Sequence, residues 1–287
     1  MTFSLNLIAD LQQIFLYPFM QHAYEAGTIV AIVAGIVGYF VVLRRSSFAA
    51  HSLSHIGFAG AAGAALIGIS PVYGLLLFTT VGGSSMAALS PKTANRDISI
   101  GTVLAFMLGL GVLFISLYTG YATEAYSILF GEILGISSND VILTLVAGLI
   151  ILVAVAVVYR PLLFSSLDED VAEAKGVPTF ILGIVFMLLV AVATSIAVQV
   201  VGVLLIFSLM VTPAAIAQQL AKRPQRVILI SVAVALTATW LGLFVAFYEP
   251  YPVSFFITSI VFIAYLLSRL TNRIMKGGRT LPTDLQR

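Results

Sequence analysis

The chain has no cysteine. Disulfides, thiolate metal sites and cysteine nucleophiles are therefore excluded. Charge is scarce too: only 9 % of the 287 residues are Asp, Glu, Lys or Arg, against about 25 % in a soluble domain. Hydrophobic residues make up 60 %, and the mean hydropathy is +1.10. No water-soluble fold of this length hides so much apolar surface, so the surrounding solvent is lipid. A net charge of +2 gives nucleic acid nothing to bind. There is no G-x-x-x-x-G-K-[ST] phosphate loop, so any use of ATP needs another subunit. The first charged residue is Asp10, which leaves no basic region for a cleaved signal peptide. Histidine occurs three times, too few for the several histidine boxes of an intramembrane di-iron oxygenase.

What the chain does have is apolar runs. They fall at 24–43, 53–70, 72–90, 98–118, 140–159, 178–198, 200–219, 227–247 and 252–270, each near the ~20 residues that cross a bilayer as a helix. Nine spans threaded with the N-terminus outside place all fourteen Lys and Arg on one side, which the positive-inside rule makes cytoplasmic. The opposite loops hold Glu25, Glu124, Glu132, Asp140 and Glu249, and no base. The runs 178–198 and 200–219 have almost no loop between them, so a sharp reversal or a broken helix is expected there. The stretch 125–140, with Glu132 in it, reads as an interfacial or re-entrant helix. The N-terminal "FSLNLIADLQQIFLYPF" is amphipathic and suits the outer surface. The reading is an all-α, polytopic membrane helix bundle of eight or nine transmembrane helices. It forms one transmembrane domain over 1–276, with a mobile polar tail at 277–287.

One charged loop stands out: "FSSLDEDVAEAKGVPT", 164–179. Ser166 followed by Glu169 fits a capping box, and acids crowd the first turn where the helix dipole favours them. Gly176 and Pro178 end the helix. Leu167, Val171 and Ala174 share a face. A helix over about 166–176 follows, either lying on the membrane or serving as a docking surface. The segment alone does not choose.

His51 and His55 lie in "RRSSFAAHSLSHIGFAG", 44–60. Four residues apart on a helix, they share one face and form a chelating pair. The other reading is that His51 caps the span at headgroup level while His55 bonds a neighbouring helix. Imidazole suits Zn and also accepts Fe, Ni and Cu, whereas Mn favours oxygen. Asp97 enters its span from the same side, as a further ligand or as a charge favoured by the helix dipole. His22 and Glu25 are candidates for a cation entrance or for a polar rim. Glu132 and Asp140 are candidates for contact with a delivery protein. The "GFAGAAGAA" run at 57–65 allows close helix approach. Pro213 marks a kink or a hinge. Ser84 and Ser85 read as a small packing face, not as a protease nucleophile.

Four blocks in order resemble the membrane permease subunit of the zinc/manganese/iron ATP-binding-cassette importers. They are "RRSSFAAHSLSHIGFAG", "LFGEILGISSND" (129–140), "DEDVAEAKGV" and "VGVLLIFSLMVTPAAIA" (201–217). The resemblance spans roughly 24 to 270. It implies a permease with no catalytic residue and no permanently bound cofactor, in the bacterial cell (inner) membrane. The transported ion is a divalent metal: zinc, alternatively manganese or iron. The implied partners are a second copy of the chain, a cytoplasmic ATP-binding subunit and an extracytoplasmic metal-binding protein, all within or beside the lipid bilayer. His51 and His55 are the implied metal contacts. Leu167, Asp168, Glu169, Val171, Glu173 and Gly176 form the implied coupling helix for the ATPase. The chain departs from the family pattern at two places. The family's usual Asp is His51 here, and the glycine before it is Ala50. A secondary metal-ion transporter working without an ATPase is the alternative; it would normally carry more acids within the spans, and here nearly all acids lie in loops.

Overall fold

The computed structural model describes residues 12–89, 96–118, 133–249 and 251–277. Within them the chain forms ten helices: α1 (Pro18–Leu43), α2 (Ser47–Leu66), α3 (Pro71–Leu89), α4 (Arg96–Leu117), α5 (Ser138–Leu167), α6 (Glu169–Ala174), α7 (Thr179–Val201), α8 (Val203–Leu220), α9 (Pro224–Tyr248) and α10 (Val253–Gly277). No strand occurs among the described residues. Every one of the nine expected spans is helical. Local sequence sets several of their starts. Pro18 and Pro224 open α1 and α9, where a fixed φ and a missing N–H carry no penalty. Ser137 and Asp140 cap α5 reciprocally, each side chain taking the other's backbone N–H.

Seven of these helices are long and apolar enough to cross a membrane by length and composition. Among the large helices α2 falls short by composition, with its imidazoles and many Ala and Gly residues, and α8, at 18 residues, is the shortest. Both are largely enclosed by other helices. The neighbours of α2 are α3, α4, α7 and α8, and α8 lies against α1, α2, α9 and α10. A helix sheltered by protein need not be greasy on every side. α5 runs past the expected end of its span, through Pro161 to Leu167. That projects its last two turns beyond the apolar run.

Polar side chains fix the relative direction of the helices. At one end of the bundle His22 of α1 meets Ser138 Oγ of α5 at 3.1 Å, and Gln199 of α7 donates to Asp140 of α5 at 3.0 Å. There too the Trp240 indole N–H of α9 donates to Thr28 Oγ1 of α1 at 2.9 Å. At the other end Arg44, just after α1, reaches Ser165 in the last turn of α5, and Asn272 of α10 donates to the Gln219 carbonyl of α8 at 3.0 Å. The starts of α1 and α5 thus gather with the ends of α7 and α9, as alternating threading requires. Mid-bundle, Thr79 and Ser195 hydroxyls join α3 to α7 at 2.6 Å, and Ser231 donates to the Gly35 carbonyl at 2.9 Å. Such bonds contribute roughly 0.6 kcal/mol each in membrane helices.

Two backbone features shape the interior. α2 and α3 cross with Gly60 against Gly74, where a Cβ on either would overlap the other's carbonyl oxygen. The small-residue run at 57–65 is therefore a close-contact face, as its composition implies. α7 and α8 are joined by Gly202 alone, at φ 84° and ψ 163°, a conformation essentially restricted to glycine. The expected break is therefore real, and it is buried. Met210 lies against Gly38, five residues before α1 ends. At 1.5 Å per residue, α8 begins about 18 Å from the level at which α1 ends, well inside a hydrocarbon core of about 30 Å.

Of the stretch 125–140, the part through Glu132 lies outside the described residues. Ile133 and Ile136, which follow it, are buried, and Ile133 reaches Gly27 of α1. The N-terminal stretch through Leu11 and the tail from residue 278 also lie outside.

Candidate functional site

The helix α2 carries His51 one turn, and His55 two turns, from its start at Ser47. The i, i+4 spacing brings the rings together. Their Nε2 atoms are 3.3 Å apart, and the ring centroids lie 4.7 Å apart with planes at 88°. Since each nitrogen is a donor or an acceptor, one Nε2 carries the proton and the other receives it. Among the described residues neither imidazole bonds to another helix, so the reading of His55 as a strut to a neighbour finds no partner there. The Nδ1 of His51 is buried without a hydrogen bond, which costs on the order of 1–3 kcal/mol.

The separation can be compared with a metal's demands. Zn–N bonds of about 2.05 Å at a tetrahedral angle hold two nitrogens about 3.3 Å apart, and 3.3 Å is what the pair shows. Among the described residues no three His, Cys, Asp or Glu side chains gather as a metal cluster. The two imidazoles are therefore the only such donors that the described chain brings together here. Asp97 stands exposed in the first turn of α4 and does not join them.

Phe207 of α8 packs edge-on to His51, with centroids 5.2 Å apart and planes at 73°. Sequence reasoning missed it, because a phenylalanine in an apolar run carries no signal of its own. It follows Gly202 by five residues, so the break fixes its position. Phe207, His51 and His55 are all partly exposed on the surface of the single chain.

The other candidates separate. His22 engages the Ile136 carbonyl at 3.2 Å and Ser138, while Glu25 lines an open groove of about 940 Å³ with Tyr24 and Trp240. The two thus have different neighbours. Asp140 is occupied by its capping box and by Gln199. Glu132 lies outside the described residues. Pro213 sits inside α8. Ser84 donates to the Thr80 carbonyl of its own helix, as a packing residue would.

The loop helix α6 is shorter than the sequence pattern suggests, and its cap lies two residues later. α5 continues through Ser166, so Asp168 becomes the cap, its Oδ1 accepting from the Val171 N–H at 3.0 Å. Gly176, at φ +83°, ends the turn as expected. Ala172 is fully buried against the bundle, whereas Leu167 is 69 % and Val171 44 % exposed. The face that the sequence marks as apolar therefore points away from the protein. Asp168, Glu169, Glu173 and Gly176 are exposed beside it. The result is a small acidic and apolar knob at the end of the bundle that carries Arg44.

This architecture has known relatives. Residues 16–272 match the description "ABC 3 transport family". The manganese transport system membrane protein MntC of Halalkalibacterium halodurans is 31 % identical over 219 residues, covering 76 % of this chain and 75 % of that protein. The manganese import system permease protein ScaB of Streptococcus parasanguinis is 31 % identical over 243 residues, covering 84 % and 85 %. Among solved structures, PsaBC from Streptococcus pneumoniae in complex with Fab superposes with a TM-score of 0.83 at 27 % identity, over 95 % of this chain and all of that one. The four sequence blocks, the helical membrane architecture and a match over nearly the whole length agree: the chain belongs to the ABC 3 transport family.

Proposed function

We propose that this chain is the membrane permease of an ATP-driven importer of divalent metal ions, with zinc as its cargo. The observation that carries the metal assignment is the His51–His55 pair. Two imidazole nitrogens lie together there, with no carboxylate from the described chain beside them. Relatives named for manganese support the class of cargo. The imidazole in place of the family's Asp removes a hard oxygen donor and one negative charge, which favours zinc over manganese. Two protein ligands completed by water, or by a second copy, bind weakly enough to release, as conduction requires.

Transport needs an energy source that this chain lacks. The exposed knob at α6 is the contact for a cytoplasmic ATP-binding subunit. Two copies of the chain face each other along the surface that bears His51, His55 and Phe207. An extracytoplasmic metal-binding protein delivers the ion at the opposite end. The basic end of the bundle is cytoplasmic, so the N-terminus is outside and the C-terminus inside.

Uptake of zinc and manganese in competition, by cells lacking their own importers, tests the cargo. His55→Ala is expected to stop uptake at unchanged expression. His51→Asp is expected to retain transport and raise the manganese share. An unchanged ratio in His51→Asp together with normal transport by His55→Ala would remove the pair from the path.

A further inference from the structure

We propose that Arg44 is the positioning residue that links the ATPase-docking helix to the histidine helix. The inference rests on the reading of α6 as the ATPase contact.

Arg44 is the first residue after α1 and lies seven residues before His51. Its guanidinium donates to Ser165 Oγ at 3.0 Å and to Ser166 Oγ at 3.3 Å. Those serines form the last turn of α5, immediately before Asp168 caps α6. The same guanidinium lies over the Phe186 ring of α7, 5.2 Å from its centroid. α7 is the helix that follows α6. One side chain therefore grips both helices that flank the docking helix.

The backbone on its other side is equally tied. The Arg44 N–H closes α1 onto the Phe40 carbonyl at 2.9 Å, and the Ser46 N–H bonds the Val41 carbonyl at 2.8 Å. Ser46 Oγ donates to the Arg44 carbonyl at 3.2 Å. Arg45 between them has φ +53°, the one non-glycine residue with positive φ among those described, a conformation uncommon for such residues. Three residues thus turn the chain from α1 into α2 without slack. A displacement of the end of α5 and the start of α7 pulls on Arg44 and moves the start of α2, and His51 lies one turn further on.

Arginine suits this task and lysine does not. Both hydroxyl contacts leave one nitrogen, Nη1, while the flat guanidinium lies over the Phe186 ring; a lysine ammonium has no planar face to lay on that ring. Arg44→Lys keeps the positive charge, and with it the membrane orientation, and removes the planar grip.

The test uses the full complex of permease, ATPase and binding protein in proteoliposomes. In Arg44→Lys the ATPase is expected to co-purify and hydrolyse ATP as in the wild type. The metal imported per ATP is expected to fall on the order of fivefold or more, the usual size of coupling between sites. Ser165→Ala with Ser166→Ala is expected to give the same loss, and the triple variant no further one. The absence of cysteine allows a second readout that is independent of cargo: a spin label on Phe48→Cys, in the first turn of α2. Its signal is expected to change when the ATPase binds a non-hydrolysable nucleotide, and to stay still in Arg44→Lys. Wild-type metal per ATP in Arg44→Lys would overturn the proposal, as would equal loss of import and hydrolysis, or a Phe48 label that ignores nucleotide in the wild type. A wild-type complex whose label responds but which imports no metal would instead refute the transport reading.

Discussion

Gly202→Ala tests whether the break between α7 and α8 is a true constraint. The residue holds φ 84° and ψ 163°, and a side chain forced into that region costs about 1–3 kcal/mol. A control is available within the same element. Gly183 of α7 has nothing within 4 Å of a built Cβ and no positive φ. Gly183→Ala should therefore only gain helix propensity, about 0.5–1 kcal/mol. The two alanines should differ by about 1.5–4 kcal/mol in opposite directions. Titrating purified protein in mixed micelles with a denaturing detergent, and following helicity, gives both free energies on one scale. The Gly202 variant is also expected to weaken the zinc binding proposed for His51, because Phe207 follows the junction by five residues and would shift. If the two variants unfold together, or if Gly202→Ala is the more stable, the junction is not held where the structure puts it.

Glu169→Arg with Glu173→Arg is expected to abolish co-purification of the ATPase and leave the permease monodisperse; recovery at wild-type yield would refute the docking assignment of α6. Reporters active only in the cytosol are expected to signal when fused at Arg287 and stay dark at Met1. Two matching ends would mean a miscounted span.

Much of this architecture is legible in the sequence because a bilayer imposes a single length scale. Apolar runs near twenty residues locate all nine large helices, and the near-absence of a loop around 199–202 announces the Gly202 break. The misplaced cap of α6 shows where that reading stops. Ser166–Glu169 and Asp168–Val171 are both plausible caps, and only the long overrun of α5 through Pro161 decides between them. The histidine pair declares itself through spacing, because imidazoles are rare in a span. Phe207 and Arg44 do not. One is apolar among apolar residues, and the other counts in the sequence only as a marker of the cytoplasmic side. Their roles arise from chain segments more than a hundred residues apart meeting in space. His22 is similar: beside Glu25 in sequence, it turns to Ser138 instead.

The modest hydropathy of α2 bears on how the protein is made. The insertion machinery reads each emerging segment largely by its own lipophilicity, and α2 does not meet the composition of a free-standing span. It must enter the bilayer together with α3, the helix against which Gly60 and Gly74 let it fit backbone to backbone. A nascent chain halted after Leu66 would leave the histidines exposed to water, and one extended through Leu89 would carry them in. The polarity that gives α2 its chemistry thus makes its biogenesis dependent on its successor in the chain.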